Sequence, residues 1–223
     1  MILLALETAT DACSAALLVD DQVRERFQLA PRGHTALILP MIDELLAEAG
    51  IGIGQVDALA FGRGPGAFTG VRIAVGVAQG IAFAADLPVV PISTLAALAQ
   101  GCSVDRVLVA LDARMDEVYW AAYERNPAGL MTVCGEECVV PPQQAPLPAG
   151  EGWYGVGSGW ASYREALQQH AAGRVSIWDE QGLPHARDVA CLGVAAYQQG
   201  QAVSADQALP VYLRDKVAWQ KSR

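Results

Sequence analysis

Residues Ile2 to Leu29 read ILLALETATDACSAALLVDDQVRERFQL, and their alternation of apolar runs with short polar turns decides the fold. Ile2 to Leu6 makes a first strand that ends at Glu7, Cys13 to Val19 a second, and Val23 to Leu29 a third, with Asp20-Asp21 as the turn between the last two. The gaps are too short for a parallel crossover, so the three strands form an antiparallel meander. The pattern returns at Arg106 to Tyr123, RVLVALDARMDEVYWAAY. With Leu6-Glu7 laid on Leu111-Asp112, Asp11 falls on Asp116, and both stretches read apolar strand, acid, turn, acid, apolar strand. A second match follows in the same order: Phe61-Gly62-Arg63-Gly64 precedes the first long helix and Val156-Gly157-Ser158-Gly159 precedes the segment Trp160 to His170. Two matches in one order read as an internal duplication. The expected architecture is α/β with two related halves, residues 1–101 and a more divergent 102–204, the C-terminal segment from about 205 to 223 rejoining the first.

Between these markers the chain spells out helices and turns. Thr35 to Ala49 places Leu37, Ile38, Met41, Ile42, Leu45 and Leu46 at helical spacing with Gly50 as the stop, and Pro40 predicts a bend or the true start. Val56 to Phe61 is a buried strand that runs through GRGPGAFTG into a long apolar helix ending near Ala85. Pro88 to Pro91 is a short strand and Ser93 the cap of the next helix. Pro141 to Gly152 reads as a surface loop, and Val189 to Gln198 as an apolar helix.

Composition narrows function. The chain has 223 residues, 52% hydrophobic and 17% charged, with a formal charge of −9. That charge disfavours direct binding of a phosphate backbone, which is held mainly by Lys and Arg. The apolar start lacks a basic leading region and carries Glu7 and Asp11, so it reads as a strand and not a leader. Val71 to Ala85, the longest other apolar stretch, falls short of the roughly 20 residues that span a bilayer. An odd set of five cysteines without a regular framework predicts reduced thiols and a cytoplasmic setting. His34, His170 and His185 are scattered and no Cys-x-x-Cys occurs, so no zinc or iron site is expected.

The glycine-rich turn Gly62 to Ala67 fits G-x-G-x-x-G/A after a strand, yet no acid ends the next strand and the first strands form a meander, against a dinucleotide fold. A tight turn at a helix start accounts for it. The following helix carries two rows of small residues: Gly66, Gly70, Ala74, Ala78 and Ala82, and beside it Gly76, Gly80 and Ala84. Glycine inside a helix costs about 1 kcal/mol relative to alanine, so such rows call for a close neighbouring backbone. One row is expected to pack on the sheet, and the other to meet a second chain. Glu7, Asp11 and Asp112 stand at strand-to-strand turns, where facing carboxylates hold a metal-nucleotide or simply cap backbone N–H groups. Trp153, Tyr154, Trp160 and Tyr163 form an aromatic patch that reads as core.

ILLALETATDACSAAL, HTALILPMIDELL, GRGPGAFTGVRIAVGVAQGIA, ISTLAALA, DARMDEVYWAAY and PVYLRD resemble the TsaB family, also called YeaZ, over most of residues 1–125 and the final segment. The resemblance implies an actin-like, sugar-kinase-like (ribonuclease H-like) fold of two related halves. It also implies a noncatalytic role in forming threonylcarbamoyladenosine next to the anticodon of tRNAs that read codons beginning with A. The chain is then expected to bind and activate its catalytic homologue TsaD, with the ATPase TsaE joining, and to form a homodimer when alone. The partner surface carried over is Gly66, Phe68, Thr69, Gly70, Val71, Arg72, Ala74, Val75, Ala78 and Ala82. Glu7, Asp11 and Asp112 become a vestigial nucleotide site, and Glu7 departs from the Asp common in relatives. No cofactor is expected beyond ATP or ADP at a partner interface, and no catalytic residue or metal. The alternative is an ATP- and magnesium-dependent small-molecule kinase of the same fold, using those three acids; a metallopeptidase, by distant analogy, is a third reading.

Overall fold

The computed structural model describes residues 1–214; the part of PVYLRDKVAW from Asp215 onward lies outside the described residues. The first half contains β1 (Ile2–Glu7), β2 (Ala12–Val19), β3 (Gln22–Leu29), α1 (His34–Ala49), β4 (Ala58–Gly62), α2 (Phe68–Ala85), β5 (Val89–Ile92) and α3 (Thr94–Gln100). The second contains β6 (Arg106–Arg114), β7 (Glu117–Arg125), β8 (Met131–Val133), β9 (Cys138–Val140), β10 (Trp153–Val156), α4 (Gly159–Ser162), α5 (Arg164–His170), β11 (Val175–Asp179) and α6 (Ala186–Gln198).

The sheets run β3-β2-β1-β4-β5 and β8-β7-β6-β10-β11, with β9 also on β7. In each the first three strands are antiparallel and the last two join parallel to the leading strand and to each other. This is the actin-like, ribonuclease H-like arrangement in duplicate. The pairing also refines the internal match. Leu6 lies opposite Phe61 in the first sheet, whereas Val109 lies opposite Val156 in the second. Laying Phe61 on Val156 therefore lays Leu6 on Val109, two residues before Leu111, so the two sequence matches hold the same topology in different registers.

Alternation along β1 sorts the first core. Leu4 and Leu6 face α1 and α2, while Leu3 and Ala5 face α6. The α6 side of the sheet is built from Ala5, Ala16, Ala58 and Ala60, small enough that α6 lies almost on the strands: a Cβ on Gly193 would sit 2.7 Å from that of Ala60. Helix α6 follows residue 102 in the chain yet packs on the first sheet, so the polypeptide returns to that half at Ala186, ahead of the expected 205. Val203 then bridges β5.

Pro40 lies inside α1, which begins at His34, so it does not mark the start. Gly50 ends the helix in the left-handed region at φ 69°. Ser93 caps α3 by accepting from the amides of Leu95 and Ala96. Trp153 and Trp160 are buried in the second core, Trp160 donating to the Leu108 carbonyl, and Gly155 leaves room for its ring. The segment Trp160 to His170 is two short helices, and Pro141 to Gly152 is partly tied down: Ala145 is buried and its carbonyl meets His170 Nε2.

Candidate partner-binding face and central cleft

The carboxyl ends of β1, β4, β6 and β10 open on a cleft of about 670 Å³ between the halves, lined among others by Asp11, Phe68, Asp112, Arg114, Ser158, Ser162, Tyr212 and Arg214. The three acids do not converge there. Glu7 has no exposure. Its Oε1 accepts from the Ala9 amide at 2.6 Å, its Oε2 from the Thr94 hydroxyl at 3.1 Å, and a Cβ on Gly62 would overlap it at 2.0 Å. Burial raises its pKa to about 7, against the opposing pull of those hydrogen bonds. This corrects its assignment to a nucleotide site: it is sealed inside the first half, where it holds the loop on which the start of α2 rests.

Asp112 is spent differently. Oδ1 accepts from the Arg114 amide at 2.7 Å and the Tyr163 hydroxyl at 3.2 Å, and Oδ2 from Arg114 Nη1 at 3.1 Å and Ser162 Oγ at 3.3 Å. Its own amide donates to Ser158 Oγ. With four donors on two oxygens, Asp112 organises its turn and the start of the α4–α5 segment. Asp11 stays exposed at the rim. Ser158 and Tyr163 were visible only as part of a repeated motif and an aromatic patch and Ser162 not at all, because hydroxyls become partners of one carboxylate only when β10 is laid beside β6. Among the described residues no group of three His, Cys, Asp or Glu side chains is placed to hold a metal ion.

Helix α2 has 18 residues and is apolar on both faces. Gly70, Val71, Ala74, Val75, Ala78 and Ala82 are buried against the chain's own sheet and the neighbouring loop. Gly70 is pressed so tightly that a Cβ would come within 2.1 Å of the Thr8 carbonyl oxygen, and the Thr8 hydroxyl donates back to Gly70 O at 2.7 Å. These six residues, expected on the partner surface, turn inward instead, because the apolar flank of Val71 and Val75 fills the core. Gly66 is half-buried, its Cβ position blocked by Ala9.

The other row faces out. Phe68, Thr69, Arg72, Gly76, Gly80, Phe83 and Ala84 are exposed, Phe68 by 58% and Phe83 by 86%, and among the described residues nothing lies within 4 Å of a Cβ at Gly76 or Gly80. Of the residues expected to meet a partner, Phe68, Thr69 and Arg72 are exposed, on the same outer face as Gly76, Gly80 and Phe83. Arg72 is laid over the Phe68 ring at 3.4 Å and donates through Nε to the Tyr212 hydroxyl at 2.9 Å. The result is a smooth glycine trough with a cation and aromatic cluster at one end and Phe83 at the other.

Comparison with known proteins places this geometry. A family model described as TsaD, tRNA N6-adenosine threonylcarbamoyltransferase, matches residues 28–222. The protein named tRNA threonylcarbamoyladenosine biosynthesis protein TsaB from Escherichia coli is 43% identical, with 99% of this chain and 98% of that protein covered. Its namesake from Haemophilus influenzae is 42% identical over 99% and 97%. The solved structure of YeaZ from Pseudomonas aeruginosa superposes with a TM-score of 0.89 at 47% identity, covering 95% of this chain and 99% of that one. On near full-length identity and a shared duplicated fold, the chain belongs to the TsaB (YeaZ) family.

Proposed function

We propose that this chain is a noncatalytic, cytoplasmic subunit in the synthesis of threonylcarbamoyladenosine in tRNA, and that it works by docking on TsaD through the outer face of α2, with TsaE joining the assembly. One observation carries the reading. Gly76 and Gly80 sit in the middle of a helix, where each costs about 1 kcal/mol relative to alanine, and no neighbour among the described residues needs their smallness. A second backbone laid in the trough supplies the missing reason, and Phe68, Arg72 and Phe83 flank it as large contact groups. The same face pairs two copies when the partner is absent. Activation then follows from preferential binding to the competent conformation of TsaD. In this reading the chain needs no cofactor beyond ATP or ADP at a partner interface; the sealed Glu7 and the four donors on the Asp112 carboxylate support it.

The test is reconstitution of tRNA modification from purified components with G76R and G80R. Both substitutions point into solvent in the isolated chain and leave its fold intact. They are expected to abolish co-purification with TsaD and to reduce modification to the level seen without this chain. Full modification and undiminished pairing by both variants would rule the reading out.

A further inference from the structure

The last described residues cross the cleft. The Val211 amide donates to the Arg63 carbonyl at 2.8 Å, in the glycine-rich turn of the first half. Tyr212 stacks on Phe68 at 5.9 Å and accepts from Arg72, both on α2. Two residues later the contacts belong to the second half: Arg214 reaches Glu117 Oε2 through Nε at 3.1 Å and Nη2 at 2.5 Å. Its Nη2 also donates to the carbonyls of Ala113 at 3.1 Å and Arg114 at 3.3 Å.

Those carbonyls lead into the β6–β7 turn. Arg114, Met115 and Asp116 have φ of 60°, 58° and 58°. Met115 and Asp116 are the two-residue loop between the paired Arg114 and Glu117, where positive φ is the ordinary hairpin geometry, as at Asp20 and Asp21 between Val19 and Gln22. The turn is also gripped from two sides: Asp112 accepts from the Arg114 amide within the second half, and Arg214 donates to the carbonyls of Ala113 and Arg114 from a segment moored to the first. Met115, at its tip, is 69% exposed, and Arg214 Nη1 reaches its Sδ at 3.5 Å.

We propose that residues 211–214 act as a strap that couples the two halves, linking the state of the Arg114–Asp116 turn to that of Phe68 and Arg72 on α2. The strap is a tension member with one mooring on each half, so loosening either end loosens both. The inference needs no partner and stands apart from the docking reading above.

Hydrogen–deuterium exchange of the full chain tests it with two conservative variants, E117Q in the second half and Y212F on the first-half mooring. E117Q keeps shape but removes the charge that Arg214 holds; Y212F keeps the stack and removes only the hydroxyl. Each is expected to speed exchange roughly threefold or more at the far end, E117Q in peptides spanning 63–72 and Y212F in peptides spanning 112–118, with circular dichroism spectra unchanged. Should each variant alter exchange only at its own end, or nowhere, the coupling is wrong. R214K, which retains a charge but cannot span Glu117 and two carbonyls together, is expected to speed exchange at both ends, and local effects alone would again overturn the strap.

Discussion

A carboxyl with no exposure, wedged between a glycine and two donors, behaves as part of the scaffold. Glu7 makes the point measurable. Its pKa stands near 7 in the fold against 4.5 when unburied, so between those values the folded chain keeps a proton that the unfolded chain has released. Stability from this group is whole below about pH 4.5, declines as pH rises to about 7 and is level above, a loss on the order of 3 kcal/mol. Asp188, raised to about 6 by burial, adds a slope of the same sign between 3.8 and 6. Urea unfolding of E7Q across pH is expected to retain only the Asp188 part; a slope equal to that of the unmodified chain would show that Glu7 is not buried as described. That an acid closes the first strand was legible in the chain. Its burial was not, because Gly62 and Thr94, which enclose it, arrive from β4 and the start of α3, distant in the chain.

At the scale of an element, α2 separates two kinds of glycine. Gly70→Ala puts a methyl group against the Thr8 carbonyl and is expected to cost at least about 2 kcal/mol, whereas Gly76→Ala and Gly80→Ala meet nothing among the described residues and are expected to stabilise the isolated chain by about 1 kcal/mol each. Thermal unfolding of the three single variants reads the difference, and a stabilised Gly70→Ala would overturn the inward placement of that row. Both rows were visible as four-residue spacings. Which of them faces the sheet depends on what packs against it, and the spacing alone left that open. The C-terminal YLR of the family motif had no assigned role in the sequence; it gains one only when the tail is laid across the cleft, on Phe68 at one end and Glu117 at the other.

Across the whole molecule, a formal charge of −9 is spread over two halves that share one topology, and the net field opposes a polyanion. At roughly 0.15 M salt the chain alone is expected to leave the mobility of tRNA unchanged in a native gel at micromolar concentration, and a clear shift would mean that it contacts the RNA itself. The apolar surplus in composition is also placed. Part of it lines both faces of the first sheet, where α2, an 18-residue helix apolar enough for a short membrane span, packs its inner side on the strands, and part remains exposed as Phe68 and Phe83.

The amino-acid sequence by itself determined what local periodicity and spacing can carry: the meander, the strand-turn-helix unit at Gly62 to Phe68, the Ser93 cap, the duplication and the family. Each depends on residues near one another in the chain, or on a pattern repeated within it. Tertiary structure alone decided which carboxylates are sealed, which are saturated by hydroxyls, which small-residue row faces solvent, where α6 packs and what the tail ties together. Those outcomes depend on surfaces supplied by distant segments, and burial, donor saturation and steric clearance exist only once the two sheets have brought those segments together.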